Sequence, residues 1–96
     1  MAANGKGPYV VIRTYSAGVH VGELIKRTGK EVALANARRI WSWQGALSLS
    51  EISQTGITGG KVSCVVPSIE LTEAIEIIPC SKSAELLLRK FRVWQP

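Results

Sequence analysis

The sequence predicts an α+β fold in which about six strands form a curled antiparallel sheet or small barrel, with two short helices. Segments rich in β-branched and aromatic residues recur along the chain, which is typical of strands. The turn signals between the first of these segments span only two or three residues, as antiparallel hairpins require. Two other segments space their apolar residues at helical intervals. With 96 residues, the chain has the length of one domain.

Four strands are predicted in the first half of the chain, joined by short turns. Gly29 can adopt a positive φ in the second turn, and Asn36 tolerates left-handed geometry in the third. The predicted strands are residues 9–15, 19–27, 31–35 and 38–43, and the turns between them are residues 16–18, 28–29 and 36–37. Such short connections predict an antiparallel meander.

A short helix is predicted after this meander. Ser48 and Glu51 have the spacing of a capping box, in which a serine hydroxyl and a glutamate carboxylate bond each other's backbone amides. The helix ends before Gly56, and residues 55–60 form a loop with three glycines.

The remaining elements are two strands and a second helix. Residues 61–66 and 69–78 are the predicted strands, separated by Pro67 and Ser68. Residues 81–90 are predicted to be helical, because apolar side chains recur there at i, i+3, i+4 and i+7. These are Ala84, Leu87, Leu88 and Phe91. Val93 and Trp94 add a last short strand or pack as an anchor.

One domain is predicted over residues 9–96, preceded by a flexible leader at residues 1–8. The leader lacks the apolar core of a signal peptide, and the chain has no run of about 18 apolar residues. We therefore expect a cytoplasmic protein that does not enter a membrane. Cys64 and Cys80 have no CxxC spacing and the chain has one histidine, so we expect two reduced, half-buried thiols and no metal site.

The charge is uneven along the chain and favours an anionic partner. Residues 1–48 hold seven basic and two acidic side chains, whereas residues 49–96 hold five of each. A basic half attracts nucleotides or nucleic acid, although the same charge also serves solubility. Because so short a chain buries a limited core, a homo-oligomer with a shared interface is also expected.

No catalytic set is visible, so we expect a protein that is not an enzyme and needs no cofactor. The chain contains no aspartate, which excludes a Ser-His-Asp triad. On one continuous strand, Glu70 and Glu76 would lie about 20 Å apart, too far to share a metal or act as an acid–base pair. The glycines of residues 56–60 are not followed by the Lys-Ser/Thr of a phosphate-binding loop.

Two segments carry a binding signal. In the fourth predicted strand, Arg38 and Arg39 precede Trp41 and Trp43, and alternation places Arg39, Trp41 and Trp43 on one face. Guanidinium groups pair with phosphate and indoles stack on bases, although the tryptophans are equally suited to a core or a dimer interface.

The second segment follows the first strand. Arg13 and Tyr15 share a face there, and the turn that begins at Ser16 offers a hydroxyl and backbone amides to an anion. The alternative is a plain hairpin turn against which Tyr15 packs.

Several segments together resemble a family of small phage- and prophage-encoded proteins known as a domain of unknown function. These segments are residues 13–19 (RTYSAGV), 29–32 (GKEV), 36–43 (NARRIWSW), 45–50 (GALSLS) and 71–80 (LTEAIEIIPC). The resemblance covers nearly all of residues 9–94 and is weakest at residues 54–67, whose role stays open. It implies a regulator, an inhibitor of a host factor or a counter-defence protein. One class of counter-defence proteins forms oligomers that sequester cyclic oligonucleotide or cyclic ADP-ribose signals without cleaving them.

The favoured hypothesis is a protein that sequesters such a nucleotide to counter host anti-phage immunity. Arg38 and Arg39 would hold phosphate, Trp41, Trp43 or Tyr15 would stack on bases, and Ser16 and Ser48 would supply hydroxyls. If both tryptophans point into the core, Arg38 becomes the better phosphate contact.

Three other hypotheses stay open. One is an inhibitor or adaptor that docks on a host protein, such as a defence protein, and another is a small regulator that binds DNA or RNA. An enzyme would need unexpected chemistry at His20, Cys80 or Glu73.

Overall fold

The computed structural model describes residues 7–95, which form six strands and two helices. The strands are Tyr9–Thr14 (β1), Val19–Thr28 (β2), Glu31–Gln44 (β3), Gly59–Val62 (β4), Val66–Leu71 (β5) and Ala74–Pro79 (β6), and the helices are Leu49–Thr55 (α1) and Lys82–Lys90 (α2). The strands form one curled antiparallel sheet, a half-barrel, so the predicted α+β fold is confirmed. Residues 1–6 of the predicted leader lie outside the described residues.

The sheet is built around the long strand β3. Its strand order is β4-β3-β2-β1-β6, and β5 also pairs with β3. Strand β4 pairs with the C-terminal part of β3, from Ile40 to Gln44, and β5 pairs with the N-terminal part, from Val32 to Ala37. The short turn at Thr72 then carries the chain from the β3 edge to the β1 edge. The two edges therefore meet at one end, which curls the sheet.

The predicted turn at Asn36 and Ala37 is wrong, because β3 continues through it as a β-bulge. Asn36 does adopt a left-handed backbone, with φ 50. The pairing of β2 with β3 shifts register there, so that Gly22 lies opposite two residues of β3. A bulge absorbs one extra residue without reversing the chain. A left-handed asparagine suits either structure, which is why local sequence favoured the turn.

The bulge changes which side chains of β3 face which side of the sheet. Before it, Val32 and Leu34 belong to a core cluster made of strand residues, and after it Ala37 belongs to the same cluster. Alternation from Ala37 places Arg39 and Trp41 on that side, with Arg38 and Ile40 on the other. Ile40 indeed lies in the cluster that the helices cover.

Two apolar clusters therefore occupy the two sides of the sheet. The first contains the helix residues Ile52 and Leu88 together with strand residues, so both helices cover this side. The second contains only strand residues, chiefly Val10, Ile12, Leu34 and Leu71, and is enclosed by the curl of the sheet. The second side has no helix over it among the described residues.

Both helices begin at serine caps. The Ser48 hydroxyl accepts from the Glu51 amide at 3.3 Å, as the capping box predicted. The Glu51 carboxylate, however, accepts from the backbone amide of Leu47 and not from that of Ser48. Ser81 caps α2 by accepting from the Ala84 amide at 3.1 Å.

The second half of the chain differs from the prediction in its strand bounds. Pro67 and Ser68 lie within β5, where a proline is tolerated because β5 pairs with β3 alone among the described elements. The predicted strand at residues 69–78 is divided by the turn at Thr72 and Glu73. Trp94 is not in a strand, although its amide donates to the Val62 carbonyl at 2.9 Å.

Candidate functional site

Four of the predicted site residues line one shallow cavity. Ser16, Arg39, Trp41 and Trp43 surround about 470 Å³ of space, which we call the turn cavity because residues 16–18 form one of its walls. The turn comes from the β1–β2 hairpin, and the other three side chains come from the C-terminal half of β3. Antiparallel pairing of β2 with β3, with Val19 opposite Ile40, brings the two segments together.

Trp41 is exposed and is paired with Trp94, for which the sequence predicted only a last strand or an anchor. Trp41 is 56% exposed and Trp94 is 39% exposed. Their ring centroids lie 6.2 Å apart in an edge-to-face arrangement. The Lys61 ammonium lies 4.7 Å from the centroid of the Trp94 ring. Lys61 thus lies beside Trp94, and Arg39 lines the same cavity as Trp41.

The prediction that Trp43 shares a face with Arg39 and Trp41 is wrong, because the pairing of β3 with β4 shifts register around Trp41. Trp43 serves the core more than the surface. It is half-buried against the helix-covered cluster, and its indole N–H donates to the Ala46 carbonyl at 3.1 Å. The sequence left two roles open for these tryptophans, stacking on a base and anchoring the core. Trp41 is available to stack, and Trp43 is largely a core anchor.

Arg38 has a structural role, and the predicted phosphate contact from it is not supported by its geometry. The residue is 2% exposed. Its guanidinium donates from Nε to the Ser63 carbonyl and from Nη1 to the Leu88 carbonyl, each at 2.8 Å. Burial lowers the pKa of Arg38. The bulge in β3 is the physical reason, because it turns Arg38 toward the helices and Arg39 toward the turn cavity.

Arg39 is the cation of the turn cavity, and its side chain is held in place by a buried histidine. Its Nε donates to Nε2 of His20 at 3.1 Å. The Ser63 hydroxyl fixes the backbone at this position, because it accepts from the Arg39 amide at 2.8 Å. The Arg39 side chain is otherwise exposed, which leaves its terminal nitrogens accessible to an anion.

His20 is almost wholly buried, with 1% exposure. Burial and the neighbouring Arg39 charge lower its pKa to about 4, so the ring is neutral near pH 7. Because Nε2 accepts from Arg39, the single ring hydrogen lies on Nδ1. That Nδ1 has no hydrogen-bond partner among the described residues.

His20 lines a second cavity of about 240 Å³, which we call the His20 cavity. Arg39 and Trp41 line it as well as the turn cavity, so these two side chains form a shared wall. The other walls include Cys64 and the β5 side chains Val66 and Ile69.

Arg13 and Ser48 line a third cavity, of about 330 Å³, that adjoins the turn cavity through Val19 and Trp43. Glu76 lies in its wall, and one of its oxygens is 3.8 Å from an Arg13 nitrogen. The nearby carboxylate offsets the Arg13 charge, so this cavity attracts an anion less than the turn cavity does.

The turn after β1 is less available to an anion than the sequence indicated. The Ser16 hydroxyl donates to the Glu73 carboxylate at 2.7 Å, and the Ala17 amide donates to the Thr14 hydroxyl at 2.8 Å. Tyr15 is 79% exposed and lines none of the three cavities. It therefore does not pack against the turn.

The two cysteines differ in exposure. Both are free thiols, but Cys64 is exposed and only Cys80 is half-buried as expected. Burial raises the pKa of the Cys80 thiol to about 11. Within residues 7–95, no group of three or more His, Cys or Glu side chains is arranged to hold a metal ion. None of the helices in that range combines the length and apolar character needed to cross a membrane.

Comparison with known proteins identifies a family but no characterised relative. A family model described as "Domain of unknown function (DUF6948)" matches residues 7–88. No curated protein and no solved structure matches the chain.

Proposed function

We propose that this chain, which belongs to the family of the domain of unknown function DUF6948, is a non-catalytic protein that binds and sequesters an anionic nucleotide. One observation supports this most directly. An exposed tryptophan, Trp41, shares the wall of the turn cavity with Arg39 and pairs with Trp94, beside which Lys61 lies.

The chemistry of a nucleotide matches both parts of this surface. Its phosphate is a bidentate acceptor for a guanidinium such as that of Arg39. Its base stacks on an exposed indole, and stacking contributes about 1–3 kcal/mol per base. Trp41 and Arg39 lie two residues apart on the same side of β3, so one ligand can contact both.

The finer part of the proposal comes from the resemblance to phage-encoded proteins. The ligand would be a cyclic oligonucleotide or cyclic ADP-ribose type of immune signal, held intact in the cytoplasm of a bacterial host to counter its defence. The turn cavity is shallow, so a second copy of the chain that covers it would enclose the ligand. A homo-oligomer is therefore part of the proposal.

The test is a thermal-shift and calorimetric screen against cyclic di- and trinucleotides and cyclic ADP-ribose isomers. A ligand at 100 times its Kd stabilises the fold by about 2.7 kcal/mol, a shift of several degrees for so small a domain. Chromatography after heat release is expected to recover the ligand intact, whereas recovery of a cleaved product would indicate an enzyme.

Matched variants locate the site. Arg39→Gln and Trp41→Ala are expected to weaken binding at least about tenfold. Arg27→Gln is the control, because Arg27 is also exposed but lies at the far end of β2, opposite Val32. Equal losses from Arg27→Gln and Arg39→Gln would contradict a site at the turn cavity.

Docking on a host protein is the second candidate, favoured by the apolar exposure around the same place. Trp41, Trp94, Val93 and Val65 are all exposed large apolar side chains, and aromatic residues of this kind are typical of interface hot spots. A null result across the nucleotide panel would favour this candidate.

A further inference from the structure

We propose that the His20 cavity is the base-recognition subsite of the nucleotide site, with the hydrogen on His20 Nδ1 donating to an acceptor on the edge of the base. This inference rests on the proposed function and assigns the two halves of the ligand to two neighbouring cavities. The base lies in the His20 cavity, and the phosphate lies in the turn cavity against Arg39.

The two cavities are placed for one ligand. Arg39 and Trp41 line both of them, so a molecule that contacts these side chains reaches either cavity. The His20 cavity has about 240 Å³, below the roughly 300–1,000 Å³ of a typical ligand pocket. It suits a ring system that is one part of a larger ligand, and the turn cavity, with about 470 Å³, takes the rest.

The walls of the His20 cavity have the character of a base pocket. Trp41, Val66 and Ile69 are apolar, and Trp41 presents an aromatic surface. Ser63 also lines the cavity, but its hydroxyl already donates to the Cys64 carbonyl and accepts from the Arg39 amide. His20 also lines the cavity, and its Nδ1 is a buried donor without a hydrogen-bond partner among the described residues, whereas the donors of Arg39 and Trp41 in this wall belong to exposed side chains.

The His20 Nδ1–H lowers the stability of the fold as long as it has no hydrogen-bond partner. A buried polar group that lacks a hydrogen bond destabilises the fold, because it has lost its hydration and gained no partner in exchange. A planar ligand with a ring nitrogen or carbonyl acceptor would remove this cost and bury its own apolar faces at the same time. Nucleobases carry such acceptors on their edges. A phosphate would instead be drawn to the exposed nitrogens of Arg39.

The arrangement also links the two subsites. His20 can accept from Arg39 through Nε2 only while its hydrogen lies on Nδ1. A base that accepts from Nδ1 holds the hydrogen there, and so keeps Arg39 oriented by Nε2. Base binding is therefore expected to strengthen phosphate binding.

The test uses the fact that His20 is the single histidine of the chain. Its imidazole signals in a ¹⁵N–¹H spectrum are therefore assigned without ambiguity. Adenosine, guanosine, cytidine and uridine are the probes for the base subsite, and ribose 5-phosphate is the probe for the phosphate subsite. We expect at least one nucleoside to shift the Nδ1 signal and to show nuclear Overhauser contacts between base protons and the His20 ring. Ribose 5-phosphate is expected to show no such contacts.

Two variants and a chemical probe give independent readouts. Val66→Phe fills the His20 cavity and is expected to weaken nucleoside binding at least about tenfold, while Val65→Phe, on the adjacent exposed residue, is the control. His20→Phe keeps a ring and removes both nitrogens, and should lower nucleoside affinity by a similar factor. Bound nucleoside should also slow alkylation of Cys64, which lines the cavity, and leave Cys80 unaffected.

The outcomes separate this inference from the proposed function. If nucleotides and ribose 5-phosphate bind but no nucleoside contacts His20 or protects Cys64, the base subsite is wrong and the anion site stands. A nucleoside that binds at His20 while Arg39→Gln leaves nucleotide affinity unchanged would retain the base cavity and reject the phosphate site. If no probe binds and water alone satisfies His20 Nδ1, both are overturned.

Discussion

Arg38 and Arg39 are adjacent in sequence, but the side chain of one is buried and that of the other is exposed. The side chain of Arg38 is buried beneath α2, where it donates to the carbonyls of Ser63 and Leu88. The side chain of Arg39 is exposed at the turn cavity and donates a hydrogen bond to His20. One of two identical residues therefore stabilises the fold, and the other is available to a ligand.

Substitution of the two arginines should separate stability from binding. We expect Arg38→Met to lower the free energy of unfolding by about 2–3 kcal/mol, because it leaves buried carbonyls without their donors. Arg39→Met should cost no more than about 1 kcal/mol, the value of one hydrogen bond. Urea denaturation of the two variants measures the difference. Equal losses would mean that the side chain of Arg38 is not the internal anchor described above.

His20 gives the protein a dependence of stability on pH. Its pKa is lowered from 6.5 to about 4 in the fold, so the unfolded chain binds a proton that the folded chain excludes between these two values. Its contribution is therefore fully present above pH 6.5 and is lost as the pH falls toward 4. Between pH 8 and pH 5 the loss from this group is about 2 kcal/mol.

Denaturation curves at several pH values, for the natural chain and for His20→Phe, measure this effect. All other groups are the same in both proteins, so the difference between the two curves isolates His20. We expect that difference to change by about 2 kcal/mol from pH 8 to pH 5. A constant difference would show that His20 is not held neutral.

The cysteines should react at different rates. Cys64 is exposed, whereas Cys80 is half-buried and has a pKa raised to about 11. Because the thiolate is the reactive form, iodoacetamide at pH 8 should modify Cys64 quickly and Cys80 slowly. Mass spectrometry follows the two steps, and Cys64→Ser should remove the fast one. A fast step that survives this change would assign it to Cys80.

Strand β3 shows how one irregularity positions a site. The bulge at Asn36 shifts the alternation of the strand by one residue, which sends Arg39 and Trp41 to the side away from the helices. Gly22 lies opposite the bulge, and a side chain there would sit 3.1 Å from the Ala37 Cα and 3.2 Å from the Ala35 carbonyl oxygen. A Cβ at this position would therefore require the backbone of β3 to shift by a few tenths of an ångström.

Gly22→Ala tests this requirement. The added methyl group meets backbone atoms, which cannot rotate away as a side chain would, so we expect a loss of about 1–3 kcal/mol. Denaturation measures the loss, and the affinity of any bound nucleotide should fall with it because Arg39 and Trp41 follow the bulge. An unchanged or more stable protein would show that β2 and β3 lie further apart than described.

The elements that the sequence predicts well are those with local signals. The serine cap of α1, the apolar spacing of α2 and the first two hairpin strands depend on neighbouring residues, and all were predicted close to their observed bounds. The turn at Thr72 and Glu73 was missed, because neither residue is a glycine, asparagine or proline. The bulge was taken for a turn because left-handed Asn36 fits both.

In the candidate site, likewise, only the residues that are close to each other in sequence were predicted to lie together. Alternation along one strand was enough to group Arg39 with Trp41. His20, Lys61 and Trp94 were not assigned to the site, because they approach these residues only through the pairing of β3 with β2 and β4 and through the return of the C-terminal segment. No short-range pattern carries that information.

At the scale of the whole molecule, the net charge of +5 overstates the cations available to a ligand. Arg89 is paired with Glu23 and Glu85, each at 2.8 Å, and Arg13 lies near Glu76. Arg38 is used inside the fold. Among the described residues, Arg39 lines the turn cavity and Lys61 lies beside Trp94, which makes few cations for a surface that follows a nucleic-acid backbone.

The salt dependence of binding should reflect this small number. A small nucleotide has no condensed counterion atmosphere to release, so we expect the logarithm of affinity to fall only shallowly with the logarithm of salt concentration, whereas a DNA-binding protein with six to ten contacts gives a far steeper slope. Titration of the tightest nucleotide found in the screen, from 50 to 400 mM salt, measures it. A slope steeper than about −4 would favour the nucleic-acid hypothesis.

The turn at Thr72 and Glu73 has a consequence for how the chain folds. It delivers β6 to β1, so β1 gains its second neighbour only after some sixty further residues have been synthesised. Closing so long a loop is slow, and until it closes, the edge of β1 offers unpaired backbone groups to other chains. We therefore expect the β1–β2–β3 meander to form early and the β1–β6 pairing late. Expression at high level should favour aggregation of nascent chains that end before Ala74.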